Sequence, residues 1–237
     1  MTSFEGRAAI VTGASTGIGH ATARALAEAG MSVVLAARSA QRLDDLAATI
    51  VDGGGTSLAL PTDVTDRAQV QRLVDTTVDA FGGIDLLVNN AGVGTWDDTV
   101  FADADLDTWL RDVDVNLLGA MRVTRLAAPH LRDGGLVVNV SSGADRSFSG
   151  EYPAYVTSKW GVRGFSGSAR LGLRDRGIRV TTLSPGEVDT PMQPEGEAGQ
   201  MRMLDPQDVA DAILFIASRP RHVAVPELSI TPSGLDG

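Results

Sequence analysis

Rhythm is what most restricts the folds open to this chain. Short, almost wholly apolar runs at residues 8–11, 32–36, 57–60, 86–89, 136–140, 179–183 and 227–230 alternate with stretches of helical periodicity at 17–29, 40–51, 67–81, 106–131, 154–176 and 206–219. Apolar runs without polar alternation predict strands covered on both faces, the environment of a parallel sheet. The intervening helices supply the crossovers that parallel pairing requires, and such crossovers are right-handed. The expected architecture is α/β: one doubly wound parallel sheet of about seven strands with helices on both faces. No repeat, linker or low-complexity tract divides the 237 residues, so a single domain over 1–237 is expected.

Composition narrows the chemistry this scaffold can carry. The chain has no cysteine, which excludes thiolate metal sites, disulfides and a cysteine nucleophile. Its three histidines, His20, His130 and His222, form no ligand pattern, and no metal is expected. A net charge of −10 leaves no basic stripe for nucleic acid. No apolar run reaches the ~18–20 residues of a membrane span, and Met1-Thr2-Ser3-Phe4-Glu5 lacks the character of a secretory signal. A cytoplasmic location is expected. Of the 20 basic residues 19 are arginine, and the one lysine is Lys159. Either it is a chance survivor of a bias toward arginine, or chemistry keeps it.

In doubly wound sheets ligands bind beyond the carboxyl ends of the strands, so the residues that follow each strand are the candidates for function. After the first strand comes Thr12-Gly13-Ala14-Ser15-Thr16-Gly17-Ile18-Gly19, running directly into a helix. Such a loop is either a tight turn or a pyrophosphate cradle, in which glycines let the backbone approach and helix N–H groups hold the anion. Its position favours the cradle and a Rossmann-type sheet. The second strand ends at Arg38-Ser39, where an acidic residue would have favoured NAD. Arg38, with Ser39 and Ser15, can instead hold a 2′-phosphate, which predicts NADP rather than NAD; the alternative is a solvated arginine ahead of a helix. Asp63-Val64 after the third strand suits either the adenine edge or a helix N-cap. Asn89-Asn90-Ala91-Gly92 ends the fourth strand with small residues that admit a flat ring, or simply forms a turn. Beyond the fifth strand lie Ser141-Ser142-Gly143 and then Tyr155-Val156-Thr157-Ser158-Lys159. Tyr155 and Lys159 are four apart, on one face of a helix. Lowering a phenol from about 10 by roughly 2–3 units takes roughly 3–4 kcal/mol, within reach of a close ammonium and a cationic ring.

Taken in order, the glycine loop, Asn89 to Gly92, Ser142 and Tyr155/Lys159 resemble the short-chain dehydrogenase/reductase family over about residues 5–233, as do Asp114-Val115-Asn116 and Ser184-Pro185-Gly186-Glu187-Val188-Asp189-Thr190. The resemblance implies an NADP(H)-dependent oxidoreductase that interconverts a small carbonyl compound and its alcohol. In that scheme Tyr155 is the general acid/base, Lys159 lowers its pKa and binds the nicotinamide ribose, Ser142 orients the carbonyl, and Asn116 anchors a water leading to Lys159. Gly13, Ser15, Thr16, Gly17, Ile18, Gly19, Arg38, Ser39, Asp63, Val64, Asn90, Ala91 and Gly92 would bind the cofactor, joined at the nicotinamide end by Pro185, Gly186, Val188 and Thr190. The C-terminal stretches around Pro206, Arg219 to Val223 and Pro226 to Pro232 resemble the NADP-dependent serine/3-hydroxy-acid dehydrogenase branch. Substrate contacts are expected from Val93, Gly94, Thr95, Trp96, Gly143 to Phe148, Tyr152, Glu187 and Met192. Arg146 is expected either to meet a substrate carboxylate or to pair with Asp145, and about 190–205 should form a short mobile lid. Small residues Gly161, Gly164, Gly167 and Ser168 on the Tyr155 helix would let another helix pack closely, and the resemblance implies a homodimer or homotetramer built on this helix and the one over 106–131. A catalytically silent NADP-binding regulator of the same fold is the alternative, and the retained Ser, Tyr and Lys argue against it.

Overall fold

A computed structural model describes residues 4–95, 101–193 and 203–233. Strands β1 (Ala8–Thr12), β2 (Ser32–Ala37), β3 (Thr56–Pro61), β4 (Ile84–Asn89), β5 (Leu131–Val140), β6 (Arg179–Pro185) and β7 (Glu227–Ile230) form one sheet in the order β3-β2-β1-β4-β5-β6-β7. All six pairings are parallel. The period-2 alternation of a strand divides the apolar runs between two cores. Ala9 and Val11 of β1 and Val33 and Leu35 of β2 enter one; Ile10, Val34 and Ala36 enter the other. Helices α1 (Gly17–Glu28), α2 (Ala40–Asp52) and α7 (Pro206–Ala217) close the first with Leu26, Leu46 and Ile213. On the opposite face α3 (Arg67–Phe81) and α5 (Ala120–Ala127) contribute Leu73, Val74, Val123 and Ala127. The chain leaves β1 toward β2 on one side and returns to β4 on the other, so the strand order reverses beside β1 and leaves a crevice at the carboxyl ends.

The long helix expected over 106–131 is divided. Helix α4 (Leu106–Val113) runs into a π-helical segment at Asp114–Gly119, then α5, then a 3-10 turn at Ala128–His130. Pro129 cannot donate an N–H to continue the helix, and Leu131 already belongs to β5. The first half of β5 was hidden from an apolar-run reading by Asp133, Gly134 and Gly135, and its pairing with β4 shifts register between Ile84 and Leu86. The helix expected over 154–176 is α6 (Pro153–Gly172), followed by a 3-10 turn at Arg174–Arg176 that stops at left-handed Gly177. Among the described residues, no helix is long and apolar enough to cross a membrane.

Candidate active site

The crevice beside β1 is a cleft of about 340 Å³. Gly13, Ser15, Thr16, Gly17 and Ile18 form one end of its wall, Arg38 and Ser39 another, and Asp63, Val64, Asn90, Ala91, Gly92 and Thr190 the rest. Two glycines make the loop possible. Gly13 sits at φ +67, and a Cβ on Gly19 would stand 2.2 Å from the Gly13 carbonyl oxygen. Thr16 precedes α1 in extended conformation without a side-chain cap, and the first turn carries no acidic residue. The helix N-terminus therefore presents uncapped N–H groups and an uncancelled positive dipole end to the cleft, the arrangement a phosphate requires. The loop is fixed from the β4 side: the Asn90 Nδ2 donates to the carbonyls of Thr12 (3.1 Å) and Gly13 (3.3 Å), and the Thr12 hydroxyl accepts from the N–H groups of Asn90 (3.0 Å) and Ala91 (3.1 Å). Asn90 thus ties two strand ends together beneath the cleft wall.

At the β2 end the sequence reading missed Arg42, which lines the same cleft as Arg38. One turn into α2, its spacing of four from Arg38 was the available signal. Among the described residues, neither guanidinium is in an ion pair, and Ser39 starts α2 without making a side-chain cap. Asp63 is not the cap of the next helix. Asp66 fills that role, accepting from Ala68 N (2.8 Å) and Gln69 N (3.1 Å), while Asp63 accepts from Thr65 N (2.9 Å) and the Thr65 hydroxyl (2.7 Å).

Beyond Gly92 the side chains expected to handle the proton come together. A Cβ on Gly92 would lie 3.3 Å from Asn116 Oδ1 and 3.9 Å from Lys159 Nζ, which places these two against the cleft wall. Tyr155 and Lys159 project from α6 and are buried; the ammonium stands 5.4 Å from the Tyr155 ring centroid and donates to the Val140 carbonyl (3.3 Å). Ser142 and Tyr155 share a side-chain hydrogen bond. Asn116, within the π-helical segment, accepts from Val93 N (2.8 Å) and donates to Val93 O (2.9 Å) and to Ser158 Oγ (3.0 Å), which in turn donates to the Tyr155 carbonyl (2.7 Å). The direct links to Val93 and Ser158 were not legible beforehand. One turn earlier, buried Asp112 accepts from Thr95 N (3.2 Å) and the Thr95 hydroxyl (3.0 Å), so the α4 face grips the segment after β4 at two rungs.

The electrostatics depart from expectation. Burial pushes the Tyr155 phenol up, opposed by the Ser142 hydrogen bond and reinforced by Tyr152 and the carboxylates of Asp112 and Asp145. Burial also brings the Lys159 ammonium down to about 8, with Asp145 acting the other way. In this structure desolvation, not the lysine, sets the direction for the phenol. Asp145 is fully buried and accepts from Ser184 Oγ (2.5 Å) and Arg146 Nε (2.9 Å), so Arg146 adopts the pairing alternative.

The remaining expected contacts are dispersed. Val93 and Met192 line the cleft, Tyr152 meets the Tyr155 ring edge-on at 6.3 Å, and Glu187 keeps one buried carboxylate oxygen without a partner. Phe148 stacks on Trp160 (5.6 Å) and is exposed. Gly19, Pro185, Gly186 and Val188 stand behind the wall: the Gly186 N–H donates to Ile230 O (2.8 Å), and Val188 bridges to Leu204. Trp96 and residues 194–202 of the expected lid lie outside the described residues.

Comparison with known proteins supports the same assignment. The short chain dehydrogenase family matches residues 7–200. An uncharacterized oxidoreductase of Staphylococcus haemolyticus is 37% identical over 234 residues, covering 98% of this chain and 100% of that protein. A short chain dehydrogenase from Burkholderia cenocepacia, solved in complex with NADP, superimposes with a TM-score of 0.90 at 31% identity, over 97% of this chain and 98% of the other. A metagenomic short-chain oxidoreductase, also solved with NADP, gives 0.85 at 31% identity, over 98% of this chain and 99% of that one. With its sheet order, glycine loop and matched length, the chain belongs to the short-chain dehydrogenase/reductase family of oxidoreductases, enzymes acting on CH–OH groups.

Proposed function

We infer that this enzyme interconverts a small ketone or aldehyde and its alcohol with NADP(H), rather than NAD(H), as hydride carrier. The observation that carries the reading is the continuity of one cleft from the paired, unneutralised guanidiniums of Arg38 and Arg42 to the wall at Gly92, against which Lys159 and Asn116 stand. The fit to a dinucleotide rests on the glycine cradle that a Cβ would fill and on the uncapped N-terminus of α1. Gly13, Ser15, Thr16, Gly17 and Ile18 would hold the pyrophosphate, Arg38, Ser39 and Arg42 a 2′-phosphate, Asp63 and Val64 the adenine end, and Asn90, Ala91, Gly92 and Thr190 the nicotinamide half. When bound, the nicotinamide supplies or accepts the hydride.

The protein's part is the proton and the orientation of the carbonyl. Tyr155 serves as general acid in reduction and general base in oxidation, Ser142 donates to the substrate oxygen, Lys159 places positive charge at the phenol, and Asn116 positions the helix that carries both. Because Arg146 is occupied by Asp145, no free guanidinium on that loop awaits a substrate carboxylate. We further propose that the protein is cytoplasmic and forms a homodimer or homotetramer. The enzymatic reading is tested by following NADPH oxidation across a panel of small aldehydes and ketones. At least one substrate should turn over, and Tyr155→Phe should reduce that rate by about 10²–10⁴-fold while NADPH fluorescence enhancement persists. Binding without turnover of any carbonyl by the unmodified protein would instead favour the silent regulator.

A further inference from the structure

At the amino ends of the strands, opposite the dinucleotide cleft, lies a second cavity of about 80 Å³. Four arginines border it: Arg7 ahead of β1, Arg179 at the start of β6, and Arg219 and Arg221 between α7 and β7. In a chain of net charge −10, this is an unusual concentration of one sign. Among the described residues, none of the four has a carboxylate within ion-pair distance. The one carboxylate on the cavity wall, Asp85, is already held by the Ala8 N–H (2.9 Å) and by Arg132.

Each guanidinium is positioned by uncharged partners. Arg179 donates from Nη1 to the carbonyls of Arg219 (3.2 Å) and Val223 (3.3 Å), leaving its buried Nε without a partner. Arg221 lies across Gly134, where a Cβ would come within 2.8 Å of its Cδ. Arg219 packs on the Phe215 ring at 4.4 Å and donates to the Phe215 carbonyl (3.1 Å), while Arg7 sits 5.5 Å over the Phe4 ring. Burial first, and then the neighbouring charges of Arg7 and Arg221, pull the Arg179 guanidinium below its ordinary value. A cavity of this size has room for one small oxyanion.

We propose that this four-arginine pocket is an anion site that takes a single phosphate group. Guanidiniums converging from three separate chain segments suit a tetrahedral oxyanion, whereas a planar carboxylate is satisfied by one bidentate arginine. A phosphate here would link the start of β1, the start of β6 and the α7–β7 connection, and would stabilise the native state through binding.

The test is calorimetric titration and thermal unfolding of the Arg38→Ala/Arg42→Ala protein, in which the guanidiniums of the dinucleotide cleft are gone. Inorganic phosphate and glycerol 3-phosphate are compared with malonate and chloride at matched ionic strength. Saturable phosphate binding with a raised Tm is expected, and exposed Arg221→Ala should weaken it by roughly 10–100-fold while leaving carbonyl turnover in the otherwise unmodified enzyme unchanged. Equal affinity for the two phosphates would assign the free ion, and tighter binding of the ester a phosphorylated metabolite; either outcome supports the site. Equal Tm gains from chloride, or phosphate binding indifferent to Arg221→Ala, would overturn it.

Discussion

Lys159 carries the cost of burying an ammonium. Its buried ammonium is brought from 10.5 to about 8, so between those pH values the unfolded chain binds more protons than the native one. Stability from this group therefore rises with pH from about 8 toward 10.5. Tyr155 has the opposite sign: its raised phenol keeps its proton longer in the native state, and stability falls as pH climbs beyond about 10. In the dinucleotide-free protein, Lys159→Met should gain up to about 3 kcal/mol at pH 7, with the advantage shrinking above pH 8, as read from urea midpoints; turnover should nevertheless be lost. A cofactor-specific effect is expected at the other end of the cleft, where Arg38→Ala/Arg42→Ala should weaken NADPH roughly 10–100-fold and leave NADH unchanged in fluorescence titrations. Lys159 stood out in the sequence because it is the one lysine among arginines. Arg42 and Asp112 did not, because a charged residue in a helical stretch reads as solvated until the fold shows what it faces.

Helices were legible where one apolar stripe runs unbroken, as in α2 and α3, and illegible where the period changes. The π-helical segment Asp114–Gly119 looks like ordinary helix in sequence, yet such segments widen the turn and frequently accompany functional sites. Here Asp112 and Asn116, on either side of its start, both face the segment after β4, while Val123 and Ala127 downstream remain seated on the sheet. Deleting Leu118 would let the segment close as α-helix and turn α4 against α5 by about 100°. Either Asn116 then leaves Val93 and Ser158 or Val123 leaves the core. The expected loss is about 2–4 kcal/mol by denaturant unfolding, with carbonyl turnover falling in parallel.

On the scale of the molecule, a doubly wound parallel sheet of about seven strands followed from the alternation of apolar runs, whereas its strand order and the surfaces open to a second copy are visible only in the fold. Gly161 is occupied within the chain, since a Cβ there would strike Leu117 at 2.5 Å, whereas Gly164 and Gly167 open onto free space. Trp160, Gly164, Ser168 and Leu171 form an exposed stripe along α6, and Leu110, Leu118 and Met121 are exposed along α4 and its continuation. These two exposed stripes are where the proposed contact between copies would form. Sedimentation should give two or four times 24.7 kDa for the native protein, and Gly164→Arg should yield the single mass. The stitch between Thr12 and Asn90 also has a consequence in time. The glycine loop is synthesised early, but the bonds that hold it come from residues 77 to 79 positions later. During synthesis β1 and β2 emerge well before β4, so the loop acquires the bonds that fix it only once β4 has joined β1 at the centre of the sheet.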